Sequence, residues 1–247
     1  MTVDRSAEGL LRPLPPRWVA FDAVGTVIHP EPGVAQAYHA VAQRHGSKLT
    51  SAEISQRFRQ VYAEYEELPP ERGETSESHE LAKWREIVAR VIVDLSDPEA
   101  CFQELFEWFA RSEAWRVFPD VVPAFDRLQA EGIQIALASN FDHRLHGVCA
   151  GLPGVASIAV RVVSSEVGWR KPNPGFYEAL VAQTGVAPAE IVMIGDSWLN
   201  DIEGARQAGL RALWLDRRGT AAPGRFQSLE DGVEAVLRMR QTGADTT

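Results

Sequence analysis

The chain has 247 residues, 45% of them apolar and 24% charged, a balance that fits a soluble globular protein with one large α/β domain or a domain carrying a sizeable insert. A formal net charge of −9 argues against a general nucleic-acid or anionic-membrane binder, although a local cation would still admit an anionic substrate. Two cysteines, Cys101 and Cys149, are too few for a disulfide framework and read as small buried hydrophobes. No apolar run reaches transmembrane length. The opening MTVDRSAEGLLRPLPP lacks the continuous apolar stretch of a signal peptide, so the chain reads as cytosolic.

Residues 1–16 are polar and interrupted by proline, which predicts a loose arm. The short apolar run Trp18-Val19-Ala20-Phe21 predicts a buried strand that ends on Asp22, followed by the turn-prone Ala23-Val24-Gly25-Thr26. The pattern then becomes helical. Val34, Tyr38, Val41 and His45 share a face, as do Ile54, Phe58, Val61 and Tyr65. A third stripe is Leu81, Trp84, Val88, Val91 and Leu95, and a fourth is Phe102, Leu105, Phe106 and Phe109. Four amphipathic helices with no strand between them predict a helical module over 31–114.

From Trp115 the rhythm changes. A helix over 121–131 fits, with Asp120 as N-cap and Gly132 as stop. A strand over 133–138 ends at Ser139-Asn140, and a helix over about 143–150 follows. Further strands are expected over 158–163, 191–194 and 212–215, with helices over 174–184 and about 199–208. Leu229, Val233, Val236 and Leu237 mark a last helix. Strands alternating with helices predict a doubly wound parallel, Rossmann-like sheet built from 17–30 and 115–247. The helical module is then an insertion after the first strand.

Asp22, Ser139-Asn140, Lys171, and Asp196 with Asp201 fall at or near the ends of separate elements. Open parallel sheets bind ligands at the carboxyl ends of their strands, so these groups can converge. Two acids suit Mg²⁺, a hard cation that takes oxygen ligands. A lysine and a hydroxyl neutralise phosphate oxygens, and a carboxylate can be the nucleophile. Each residue also has an ordinary reading. A lone strand-end aspartate is usually a turn residue, Ser139 can be a turn hydroxyl, and Lys171 a solvated charge. Asp196 and Asp201 can be acids that favour a helix N-terminus. His29, His79 and His143 have no metal-ligand spacing, Arg144 and Arg170 read as surface charges, and Trp84 as a core residue.

The order of these motifs resembles the haloacid dehalogenase superfamily of hydrolases with a helical cap inserted between the first and second motifs. Phe21-Asp22-Ala23-Val24-Gly25-Thr26 resembles strand-Asp-x-Asp-Gly-Thr. Ala138-Ser139-Asn140 resembles the second motif and Lys171-Pro172 the third. Gly195-Asp196-Ser197-Trp198-Leu199-Asn200-Asp201 resembles Gly-Asp-Ser-x-x-Asn-Asp. Ser-Asn-Phe-Asp paired with Gly-Trp-x-Lys-Pro is similar to the subgroup of the insect rhythmically expressed protein. The resemblance implies that Asp22 is the nucleophile and a Mg²⁺ ligand, with the Val24 carbonyl, Asp196 and Asp201 completing the metal site. It implies that Ser139 and the Asn140 amide hold phosphate, that Lys171 pairs with Asp22 and the phosphate, and that the substrate is a small phosphorylated or otherwise anionic molecule.

Val24 departs from the pattern. In the family's phosphatases an aspartate there protonates the leaving group and helps activate water, and general acid–base assistance is worth about 10²–10⁴ in rate. The expectation is a phosphatase-like enzyme that works best on leaving groups of low pKa. The alternatives are a non-catalytic phosphate-binding member, and phosphonate or dehalogenase chemistry on the same scaffold. The resemblance to phosphonate hydrolases would call for a lysine from the helical module, where Lys48 and Lys83 are the only two.

Overall fold

The central strand of the computed structural model is β1 (Trp18–Phe21); the structure describes residues 14–66, 73–219 and 222–244. Val19, Ala20 and Phe21 are each fully buried, which is why the strand reads as an unbroken apolar run: helices cover both faces of a parallel sheet. β1 is followed by a short strand β2 (Ile28–Pro30), and then by α1 (Val34–Arg44), α2 (Ser51–Glu66), α3 (Glu77–Val91) and α4 (Pro98–Trp108). The chain returns through β3 (Trp115–Val117) and continues with α5 (Val121–Ala130), β4 (Gln134–Ser139), α6 (Arg144–Ala150), β5 (Val160–Val163), α7 (Ser164–Val167) and α8 (Pro174–Thr184). It closes with β6 (Ile191–Gly195), a wide turn at Trp198–Glu203, α9 (Gly204–Gln207), β7 (Arg211–Leu215), β8 (Arg225–Phe226) and α10 (Leu229–Ala244).

The six-stranded sheet has the order β5-β4-β1-β6-β7-β8, and all its pairings are parallel. The chain builds β4 and β5 on one side of β1, then crosses to build β6, β7 and β8 on the other. The reversal opens a crevice at the carboxyl end of β1. Val19 and Phe21 face the core beneath α5 and α10, and Ala20 faces the opposite core beneath α8.

β2 and β3 pair antiparallel, with Ile28 opposite Val117 and Pro30 opposite Trp115. The chain therefore leaves for the four helices and comes back through one two-stranded stem. The helices have a core of their own, which includes Tyr38, Ile54, Ile87 and Phe102. Their starts are well marked. The Ser76 side chain accepts from the His79 N–H ahead of α3, and Asp97 accepts from Ala100 N–H with Pro98 at the first helical position.

Several local expectations change. The strand expected from 158 begins at Val160, and neither β8 nor the β2–β3 stem was legible in the sequence. Asp120 stands at the N-cap position of α5 without capping it, because its backbone is helical (φ −83°, ψ −5°) instead of extended. Its carboxylate instead takes a two-pronged ion pair from Arg217, at 2.8 and 3.0 Å, and the Leu229 N–H at the start of α10. The helix expected over 199–208 opens as a π-helical turn at Trp198–Glu203. Most of the expected N-terminal arm lies outside the described residues.

Candidate active site

Asp22 follows β1 directly, and its N–H donates to the Ile194 carbonyl of β6 at 2.9 Å. A tight turn then carries the chain away. The Val27 and Ile28 N–H groups both donate to the Ala23 carbonyl, and Gly25 N–H donates to the Ile28 carbonyl, each at 2.8 Å. Gly25 has φ +92°, and a Cβ there would lie 2.3 Å from Asp196 Oδ2. Only glycine meets both demands, the left-handed backbone and the close approach of a carboxylate.

Register brings the other groups alongside. Phe21 is level with Leu137 of β4 and Ile194 of β6. Ser139 and Asp196 therefore lie one residue beyond the level of Asp22, one on each side. Lys171 reaches in from the loop before α8 and is 1% exposed. Its Nζ donates to Asp22 Oδ1 at 2.8 Å, to Asp201 Oδ1 at 2.5 Å and to the Ala138 carbonyl at 2.7 Å. The wide turn explains Asp201: its other oxygen accepts the Ser197 N–H at 3.0 Å, so the insertion of an extra residue per turn swings the carboxylate back under the strand end.

Asp22, Asp196 and Asp201 each offer an oxygen within 4.8 Å of the others. Three carboxylates face one lysine. Burial, reinforced by the Asp201 charge and opposed by Lys171, pushes Asp22 up to about 6. Desolvation, then the Asp22 and Asp201 charges, pushes Asp196 up to about 8. Burial works against the Lys171 charge, but the Asp201 and Asp22 carboxylates outweigh it and hold its pKa above the ordinary value. The excess negative charge and the hard oxygen donors fit a divalent cation such as Mg²⁺.

Asn140 does more with its side chain than the motif comparison suggests. Its Oδ1 accepts Lys171 N–H at 2.7 Å and its Nδ2 donates to the Lys171 carbonyl at 3.0 Å, clamping the backbone that carries the lysine. Ser139 is buried at the end of β4. Gly73 and Thr75, between α2 and α3, add a second strap: Arg170 N–H donates to the Gly73 carbonyl and Thr75 N–H to the Gly168 carbonyl. The four-helix insert is thus bonded to the segment leading into Lys171.

Beside the carboxylates lies a cavity of about 220 Å³ between the insert and the sheet. Val24 lines it, together with Asn140 and a shell of rings. Both arginines expected as surface charges are instead engaged by the protein. Arg144 is buried, not a surface charge. Its guanidinium grips Asp142 through two bonds of 2.7 Å, donates to the Phe106 carbonyl at 3.1 Å, and lies 3.6 Å over the Phe106 ring. Trp84 packs on the core of the insert, as expected, and also lines the cavity, stacked on Tyr62. Arg170 also leaves the bulk surface, donating to the Tyr65 carbonyl at 3.1 Å. Sequence reasoning missed the Asp142–Arg144 pair, for which the only local signal was an acid and an arginine two residues apart. His143, outside the carboxylate site, pairs with Glu77 of α3.

At the carboxyl end of the central strand of a Rossmann-like sheet, one aspartate is held by a buried lysine beside two further acids. The model of the haloacid dehalogenase-like hydrolases matches residues 16–209, and the chain belongs to that family. It is 27% identical over 210 residues to a haloacid dehalogenase-like hydrolase domain-containing protein 3 of Danio rerio, covering 83% of this chain and 87% of that one. A phosphoserine phosphatase of Thermus thermophilus is 32% identical over 146 residues, 56% of this chain and 58% of its own. Among solved structures, a phosphatase of the family from Thermococcus onnurineus superposes with a TM-score of 0.63 at 22% identity, over 89% of this chain and 97% of its own. The defluorinating L-2-haloacid dehalogenase Rha0230 gives 0.72 at 21% identity, over 90% and 95%. At such identities these structures establish the shared fold.

Proposed function

We propose that the protein is a Mg²⁺-dependent phosphoryl hydrolase that works through Asp22, with the helical insert as its cap. The observation that carries this is the convergence of the Asp22, Asp196 and Asp201 oxygens, with Lys171 Nζ bonded to two of the three, Asp22 and Asp201. Asp22, Asp196, Asp201 and the Val24 carbonyl would hold the cation, which supplies charge neutralisation on the phosphoryl oxygens. Asp22 attacks phosphorus, forming an O–P bond as the ester oxygen departs with its electron pair. Water then attacks the aspartyl phosphate, releasing phosphate and restoring the carboxylate. Lys171, Ser139 and the Asn140 N–H stabilise the phosphoryl oxygens. Val24 cannot give the departing oxygen a proton, so the proton comes from solvent and leaving groups of low pKa, such as aryl or acyl phosphates, react best. The substrate is a small phosphorylated molecule, and the chain's composition supports a cytosolic setting; among the described residues no helix is long and apolar enough to cross a membrane.

The test is phosphate release from an aryl phosphate with and without Mg²⁺. Release that requires the metal and is lost in Asp22→Asn is expected, and equal release by wild type and variant would overturn the assignment. Val24 in the wall of an apolar cavity also favours a second reading, a phosphate-binding protein without turnover. Val24→Asp separates the two: a jump from no turnover to clear turnover supports the second. Phosphonate cleavage has less support, since Lys83 is committed to Glu80 and Lys48 does not line the cavity.

A further inference from the structure

The cavity next to the carboxylates has a chemistry that phosphoryl transfer does not require. Nine of its sixteen lining residues are aromatic, among them Tyr38, Phe58, Trp84, Phe106 and Phe141, and five more are aliphatic or proline. The remaining two are Asn140 and Arg144. Both are already engaged. The Asn140 amide holds the Lys171 backbone on both of its sides. Arg144 gives Nε and Nη2 to Asp142 and Nη1 to the Phe106 carbonyl. A carboxylate or second phosphate entering this space meets a guanidinium whose charge Asp142 already balances, and an ammonium group meets no carboxylate among the lining residues. Burying a charge without a partner is strongly unfavourable.

Size narrows the choice further. An apolar cavity of about 150 Å³ takes up benzene and stays dry without it. At about 220 Å³ the space suits one substituted ring or two fused rings, and is smaller than the roughly 300–1,000 Å³ of a site for drug-sized ligands. Val24 is the residue at which this wall meets the turn after Asp22. With valine the apolar surface runs unbroken to the reacting end, where a carboxylate would interrupt it.

Resting on the phosphoryl-transfer reading of Asp22, we infer that the substrate is the monophosphate of an uncharged, flat, apolar phenol of one to two rings. The phosphoryl group lies at Asp22 and the rings lie among Trp84, Phe58 and Phe106. Specificity then comes from the rings and from exclusion of charge, and not from a polar contact to the leaving group.

The experiment compares 2-naphthyl phosphate, phenyl phosphate and 3-carboxyphenyl phosphate with Mg²⁺, reading kcat/KM from released phosphate. Their leaving groups are phenols of similar acidity, so the missing proton donor weighs on all three alike. Burial is worth about fourfold per methylene equivalent. A preference of at least about tenfold for naphthyl over phenyl is therefore expected, with the carboxylated ester at least as far below phenyl. Val34→Phe pushes a ring into the cavity and lowers the naphthyl-to-phenyl ratio; Trp84→Ala removes a wall and lowers it too. The ratio is the readout, so a folding defect that depresses both rates does not mimic the effect. Acetyl phosphate and a calorimetric titration with 2-naphthol separate the two layers of the argument. Turnover of acetyl phosphate with no naphthyl preference, or with the carboxylated ester favoured, overturns this inference and leaves the Asp22 assignment standing. No phosphate release from the three esters or from acetyl phosphate overturns the phosphoryl reading and this inference with it, even if 2-naphthol binds.

Discussion

Lys171→Met removes the cation that bonds Asp22 and Asp201 while keeping the length of the side chain. The ammonium is 1% exposed and makes three hydrogen bonds, to Asp22, Asp201 and the Ala138 carbonyl. Its loss strands two buried acids and one carbonyl. Removing one member of a buried pair costs about 3–5 kcal/mol, a large part of the roughly 5–15 kcal/mol that holds a typical domain folded. At about 2–4 °C per kcal/mol for a chain of this size, the melting temperature should fall by roughly 6–20 °C at pH 8. The cost depends on pH with a definite sign. Asp22 already has a folded-state pKa raised to about 6 by burial and by Asp201, and without the lysine it rises further. A raised acid pKa means that the folded state binds more protons than the unfolded one, so the variant regains stability as pH falls and Asp22 becomes neutral. The assay is urea unfolding of wild type and variant at pH 8 and pH 5.5. A difference below about 1 kcal/mol at pH 8, or one that does not shrink on acidification, would refute the claim that this lysine balances the cluster.

Gly25→Ala places a methyl group 2.3 Å from Asp196 Oδ2 on a φ of +92°; backbone strain of about 1–3 kcal/mol and displacement of Asp196 should weaken Mg²⁺ binding, and calorimetry showing unchanged affinity would contradict this. Mg²⁺ should raise the thermal midpoint of the wild type, by about 2.7 kcal/mol of stabilisation at a hundredfold excess over Kd, and a chelator should reverse it; the same shift in Asp196→Asn would mean that the metal binds elsewhere. Asp120→Ala removes both the Arg217 pair and the acceptor of the Leu229 N–H, costing about 1.5–3 kcal/mol at neutral pH. Burial alone would raise the Asp120 pKa, but its hydrogen bonds to Arg217 and Leu229 outweigh that and lower it. This stabilisation is present above the unfolded pKa and is lost as pH falls through the lower folded value; a wild-type-to-variant gap that stays constant down to pH 2 would disprove the role.

Much of the site was legible because its residues are tied to local patterns. Asp22 and Asp196 each follow an unbroken apolar strand, and in a parallel sheet every such strand ends on the same edge. Asp201 was visible as an acid but not as a partner of Lys171, since its position depends on a π-helical turn that helical spacing does not distinguish from an α-helix. Arg144 was misread for a related reason. A charged residue on a short helix is usually solvated, and only the approach of Phe106 from α4, 38 residues earlier, buries it.

The sequence by itself determined the alternation of strands and helices, the carboxyl-edge location of Asp22, Ser139 and Asp196, and the absence of an acid at Val24. Those features depend on short-range periodicity and on which residue ends each strand. Tertiary structure decided what Val24 faces, that Asn140 clamps Lys171, and that the aromatic stripes of the insert line one cavity that reaches Val24 and Asn140. Lys171 and Asp22 are 149 positions apart and meet at 2.8 Å. No local pattern specifies such a contact; it forms because the strand order and the two-stranded stem at β2–β3 leave those side chains one shared space to fill.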